Sequence, residues 1–385
     1  MSSQSSTRPA GAGSETRAAR PHRPSLPGQV VLVFQGGGAL GAFQPGVYEA
    51  MHEAGIEPDW VVGTSIGAIN GAIIAGNPAE QRLERLHEFW ARLGQHNALG
   101  ATGPFHRLGK SLVNMNTLTR GIPGFFTPNL AALFGPFAPL GLDAASFYST
   151  APLRESLEVL IDFDYLRSRA LRLTVGAVSA SSGAMRYFDS RDGALTVDHV
   201  MASGALPGVF PAVRIDGEPF WDGGVYSNTP AEVVFDDNPR RDSVIFAAQL
   251  WNPQGDEPRT MGEVGERQKD IQFSSRAASH IRRHQQIHNL RHVITELARR
   301  LPEDARGLPE VRELTAWGCR TTMHVINLLS PRLGHDDHSK DIDFTSEGIA
   351  ARWKAGYDNA RRAIAAAPWS GPVDPSAGVL IHDIS

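Results

Sequence analysis

Any chemistry in this chain has to come from oxygen and nitrogen side chains. Its 385 residues include one cysteine, Cys319, so an internal disulfide or a cysteine-built zinc cage is excluded. Three glycine-marked segments carry the best-placed reactive groups. Gly63-Thr64-Ser65-Ile66-Gly67 matches G-x-S-x-G. A sharp strand-to-helix turn forces such a serine into a strained conformation, and glycine two positions to either side leaves room for it. Its hydroxyl is a poor nucleophile until a base takes the proton. Fourteen histidines are available, and so is Asp222 in Pro219-Phe220-Trp221-Asp222-Gly223-Gly224. That carboxylate follows an apolar run and precedes two glycines, which suits a strand end aimed into a site. An ordinary Asp-Gly turn would look the same. The third segment, Gly36-Gly37-Gly38-Ala39-Leu40-Gly41, fits the dinucleotide fingerprint when read alone. That use needs an acidic residue at the end of the second strand. Asp59 has the right distance but precedes the apolar run 60–62 instead of ending it.

These groups need strand ends and helix starts to hold them. From residue 29 the chain alternates short apolar runs with helical patterns, the rhythm of a layered α/β domain. Strands are expected at 29–34, 60–62, 171–178, 185–188, 244–250 and 323–329. Helices are expected at 42–54, 68–75, 78–93, 151–161, 197–203, about 265–301 and about 346–366. Thr150 is the expected N-cap of the fourth helix. Both glycine turns therefore fall between a strand and a helix.

Composition narrows the function class. A net charge of −4 offers no basic field for nucleic acid. Residues 1–27 hold too little apolar surface to repay ordering, so a disordered tail is expected, and no secretory signal is seen there. With the single cysteine, this points to a cytoplasmic protein. Residues 121–142 are uncharged, but Pro123, Pro128, Pro136 and Pro139 would break a membrane-spanning helix. Phe125, Phe126, Phe134 and Phe137 make the segment either a lid or acyl-chain channel, or a loop covering the core.

Taken in order, GGGALG, then GTSIG, then DGG resemble the patatin-like phospholipase family. Supporting stretches are Ala202-Ser203-Gly204-Ala205-Leu206-Pro207-Gly208-Val209-Phe210-Pro211 and Asn228-Thr229-Pro230. The resemblance covers about residues 29–252, and residues 260–370 look like an extension found on some bacterial members. It implies an α/β fold, a three-layer α/β/α sandwich with a mostly helical C-terminal extension. The implied organisation is a tail at 1–27, a catalytic domain at 28–252, a linker at 253–264 and the extension at 265–385. It also implies a lipid acyl hydrolase cleaving carboxylic esters without a cofactor or metal. Ser65 would be the nucleophile and Asp222 its base, without histidine. Backbone N–H groups of Gly36, Gly37, Gly38 and Ile66 would form the oxyanion hole. Gly41, Gly63, Gly67, Gly223 and Gly224 would shape the motifs. The base works only if its surroundings raise its pKa. Many family members carry Arg or Lys where this chain has Leu40, so the resemblance does not extend to a specific headgroup. The implied partner is a lipid or other ester, with peripheral membrane contact left open.

Two other readings use the same residues. One is an α/β-hydrolase with a Ser-His-Asp triad, although only two strands precede Ser65. The other is a non-catalytic module that binds lipid or a partner. His280, His284, His288 and His292 recur every four residues on the long C-terminal helix, as metal ligands or as a polar face. Asp336, Asp337, Asp341 and Asp343, with His335 and His338, read as a solvated turn. Cys319 reads as structural.

Overall fold

Alternation along the first strand settles the layering. Val30, Leu32 and Phe34 join one buried cluster, and Val31 and Val33 join another, so helices must cover both faces of the sheet. The computed structural model describes residues 26–95, 116–117, 119–135, 137–334, 336 and 339–384, without the side chains of 275–277. The expected tail, except for residues 26 and 27, lies outside the described residues, as do Pro136, His335, Asp337 and His338.

The strands are β1 (Gln29–Phe34), β2 (Trp60–Thr64), β3 (Thr127–Pro128), β4 (Tyr148–Ser149), β5 (Arg172–Ser179), β6 (Met185–Asp189), β7 (Val213–Ile215), β8 (Glu218–Asp222), β9 (Ser243–Gln249), β10 (Met323–Leu329) and β11 (Val379–Asp383). Nine of them form one mixed sheet in the order β11-β10-β9-β1-β2-β5-β8-β7, with β6 paired to β5. The principal helices are α1 (Phe43–Glu53), α2 (Ile66–Ala75), α3 (Ala79–Leu93), α4 (Ala151–Leu160), α5 (Val197–Ser203), α6 (Met261–Arg300) and α7 (Ser346–Ala366). Residues of α1 to α5 and α7 pack on one face of the sheet. Ile281 of α6 packs on the other, beside Phe235, Met323 and Val379. The result is a three-layer α/β/α sandwich with a mostly helical C-terminal region.

That region also adds strands to the sheet. β10 lies parallel to β9, and β11 parallel to β10. β11 is not among the expected strands, because five residues near the chain end show no flanking pattern to set them apart. α6 starts at Met261, four residues before the apolar pattern suggests, because Thr260 and Glu263 form a capping box. Thr150 sits at the N-cap of α4 but makes no side-chain cap bond.

The histidine stripe on α6 is largely a packing face. His284 stacks on Phe235, and His288 Nε2 lies 3.2 Å from the Phe235 carbonyl. His292 contacts the carbonyls of Pro375 and Thr321. Among the described residues no group of three or more His, Cys, Asp or Glu is arranged to hold a metal. Cys319 Sγ lies 2.9 Å from the Thr321 hydroxyl.

Candidate active site

The sheet brings Ser65 and Asp222 together by placing two strands on one edge of β5. β2 runs parallel to β5 and ends with Thr64 opposite Gly176. β8 runs antiparallel and ends with Asp222 opposite Ala177. β6 pairs with both stretches of β5, Thr174 to Val178, so β2 and β8 must share the opposite edge. Their C-terminal ends meet head to head. Residues far apart in sequence thus become neighbours by register alone.

Ser65 sits in the turn from β2 into α2, at φ 56° and ψ −126°. A non-glycine residue in this region is strained, and here the surroundings hold it in place. Its N–H donates to the Ser203 carbonyl at 3.1 Å and the Ser203 hydroxyl at 3.0 Å. That hydroxyl donates in turn to the Gly176 carbonyl at 2.6 Å. The flanking glycines are required by contact. A Cβ on Gly63 would lie 2.3 Å from the Gly67 carbonyl oxygen, and one on Gly67 would lie 2.4 Å from that of Phe34.

The Ser65 side chain faces the Asp222 carboxylate closely enough to draw its pKa down. Asp222 is 4% exposed, and its Oδ1 accepts the Gly224 N–H at 2.7 Å. Burial pushes its carboxyl up from the usual 3.8 to about 6, against the opposing pull of the nearby Ser65 side chain and the Gly224 N–H. A carboxylate so placed is a stronger base than one in water. Gly223 must be glycine, since a Cβ there would lie 2.4 Å from the Gly176 carbonyl oxygen.

The first glycine turn borders the serine, since a Cβ on Gly36 would lie 3.0 Å from Ser65 Cβ. Gly36 is locked on both sides. Its N–H donates to the Asn228 carbonyl at 3.1 Å, and its carbonyl accepts from Asn228 Nδ2 and Trp251 Nε1, each at 2.9 Å. Its N–H is therefore already engaged, which removes it from the four expected oxyanion donors. The N–H groups of Gly37, Gly38 and Ile66 have no acceptor among the described residues. Gly41 clears the Ile66 side chain, where a Cβ would come within 2.5 Å. Leu40 is buried in the core. Asp59 accepts the Val30 N–H at 2.8 Å near the start of β1, while the glycine turn follows the end of that strand.

The uncharged segment divides in two. Phe125 and Phe126 are buried in an aromatic cluster with Tyr148, Phe210 and Phe344. Leu133, Phe134 and Phe137 are 83%, 78% and 96% exposed. The aspartates near residue 340 correct the expectation of a solvated turn. Asp343 is buried, Asp336 pairs with the buried Arg352 at 3.0 Å, and Asp341 pairs with Lys269 at 2.7 Å. The buried Arg352 and the partly exposed Lys269 across the turn pair with charges that in the sequence look destined for water. Ser203 and Asn228 lay within stretches that sequence reading singled out, but their bonds to Ser65 and Gly36 were invisible there. Trp251 and Lys340 carried no signal at all.

Comparison with known proteins gives the family. The sequence profile of the patatin-like phospholipases matches residues 32–235, and that of a patatin phospholipase family of unassigned function matches residues 271–376. The chain belongs to the patatin-like phospholipase family. Human patatin-like phospholipase domain-containing protein 6 is 25% identical over 207 residues, 53% of this chain and 12% of that protein. An NTE family protein of Mycobacterium tuberculosis is 30% identical over 210 residues, 53% of this chain and 27% of that protein. The chain therefore spans about a quarter or less of the length of these curated relatives. Among solved structures, VipD from Legionella pneumophila is similar over 90% of this chain and 71% of its own, at 16% identity and a TM-score of 0.38.

Proposed function

We propose that this protein is a serine acyl hydrolase that cleaves carboxylic esters of lipids through Ser65 and Asp222. The observation that carries the reading is a strained serine set by strand register beside a buried carboxylate of raised pKa. Ser65 Oγ attacks the ester carbonyl carbon while Asp222 accepts the hydroxyl proton. The charge that develops on the carbonyl oxygen is met by the N–H groups of Gly37 and Gly38, with Ile66 at the positive end of α2. Collapse expels the alcohol, which takes the proton back from Asp222, and leaves an acyl-serine. Water, activated by the same carboxylate, attacks the acyl carbon and releases the acid.

Two observations support a lipid substrate. Leu133, Phe134 and Phe137 project from an uncharged segment. That segment is tied to the site: Phe147 and Tyr148, just beyond it, donate N–H groups to the carbonyls of Gly208 and Val209, and Ala205 in the same loop accepts the Asp222 N–H. Against a histidine triad, the group beside the Ser65 side chain is a carboxylate, and His288 and His292 of α6 are engaged with backbone carbonyls.

A fluorophosphonate probe tests the reading on the full chain. Wild type should be labelled covalently, and Ser65→Ala should not. Hydrolysis of a long-chain ester should fall about 10⁴-fold or more in Ser65→Ala. Folded wild type that neither labels nor turns over any ester of a chain-length series would leave a binding module as the better account.

A further inference from the structure

The glycine turn contacts the C-terminal region from behind, through a buried cluster of charge. Trp251, whose indole N–H holds the Gly36 carbonyl, is 3% exposed. Its ring packs 4.8 Å from Phe273 of α6, and Lys340 Nζ lies 5.7 Å from it. Lys340 is itself 4% exposed. Its ammonium sits 2.7 Å from Asp270 Oδ1 and 3.2 Å from Glu266 Oε1, both on α6, and Arg332 reaches Glu266 at 2.9 Å. The Lys340 carbonyl also accepts from Arg352 of α7 at 3.3 Å. The next residue completes the contact. The Asp341 carbonyl oxygen is so close to Gly38 that a Cβ there would lie 2.3 Å away.

Gly38 has φ +55°, a conformation glycine adopts freely and leaves as freely. Oxyanion donors lower a barrier only if they are aimed before the reaction begins. A run of three glycines does not aim itself. Side chains of similar volume and no charge would fill the space behind it at no loss of stability, so the three buried charges there, Lys340, Asp270 and Glu266, are better explained by the geometry they impose.

We propose that Lys340 and Trp251 are positioning residues for the oxyanion turn: the Lys340–Asp270–Glu266 cluster pins the 340–342 turn against Gly38, and Trp251 pins Gly36. This rests on the acyl-transfer reading for its catalytic consequence, though not for its structural one. Neither side chain touches the reacting atoms. Each acts through the direction of the Gly37 and Gly38 N–H groups.

The test uses the full chain as wild type, Trp251→Phe and the charge-balanced pair Lys340→Met with Asp270→Asn. The last leaves Arg332 paired with Glu266. Hydrogen exchange by mass spectrometry over residues 35–42 reads the turn, where the Gly36 and Leu40 amides are bonded. Exchange should rise about tenfold there in both variants, while β1 and β10 keep wild-type rates. On a long-chain ester, kcat should fall about 10-fold to 100-fold with KM within about twofold. Affinity for a trifluoromethyl ketone, which presents a tetrahedral oxyanion to Ser65, should fall in parallel. Unchanged exchange over 35–42, or a rise shared equally by the whole sheet, would overturn the proposal. Wild type inactive on every ester would remove the acyl-transfer reading, and the exchange comparison would still decide the brace.

Discussion

Asp222 is the base of the proposed reaction, and its burial has a cost for the fold. Its carboxyl is displaced upward by burial, from 3.8 to about 6, so the folded state holds a proton that the unfolded state has released between those values. Stability then falls as pH rises through this window, because the folded state is the one that binds more protons. The full penalty at neutral pH is about 3 kcal/mol. Asp222→Asn should therefore raise the melting temperature at pH 7.5, and the advantage should vanish below about pH 4. A thermal scan of both proteins across that range decides it, and an advantage that persists at low pH would assign it to another cause. In the proposed reaction the same titration governs activity. Ester turnover should rise with pH through an apparent value near 6, since only the ionised carboxylate can accept the Ser65 proton.

At the level of elements, the uncharged segment at residues 121–142 divides the work between its two ends. Phe126 is buried among aromatic rings, and Tyr148 meets it edge-on at 4.8 Å. Phe126→Ser should lower stability by about 3 kcal/mol, the usual cost of removing a buried aromatic side chain. Leu133 and Phe134 lie on the short 3-10 turn Leu130–Phe134, which contributes no buried side chain. The pair Leu133→Ser and Phe134→Ser should change stability by about 0.5 kcal/mol or less. It should still slow hydrolysis of long-chain esters presented in vesicles, while leaving a soluble butyrate ester unaffected. Equal effects on the two substrates would argue that the exposed end has no part in meeting lipid.

On the scale of the whole molecule, the two profile matches share one sheet and both supply residues to the core cluster on each of its faces. α1 and α7 cross so closely that a Cβ on Gly46 would lie 1.9 Å from the Trp353 carbonyl oxygen, and one on Gly356 would lie 1.9 Å from that of Phe43. β10 pairs with β9 over seven residues. Deleting residues 261–385 would uncover the edge of β9 and the outer side of α1 together. A protein ending at residue 260 should lose its cooperative thermal transition and aggregate, as read by circular dichroism and size-exclusion chromatography. A soluble fragment that melts cooperatively would show that the part carrying Ser65 and Asp222 folds without the rest. Among the described residues no helix is long and apolar enough to cross a membrane.

Much of this was legible in the sequence because it depends on neighbours along the chain. A serine between two glycines, after an apolar run and before small residues, can form few other structures. The strands around it show themselves by alternation, and the long helices by their period. Asp222 was nameable only as the third member of an ordered set of motifs, since Asp-Gly-Gly by itself describes a turn. What the tertiary structure decided is where distant segments meet. Register on β5 sets Thr64 and Asp222 side by side. Burial, which no local pattern reports, raises the base. Long-range bonds engage the Gly36 N–H, turn histidines of α6 into packing groups, and draw Lys340 and three aspartates inward. Local sequence specifies conformation, whereas desolvation and contact belong to whatever the fold brings alongside.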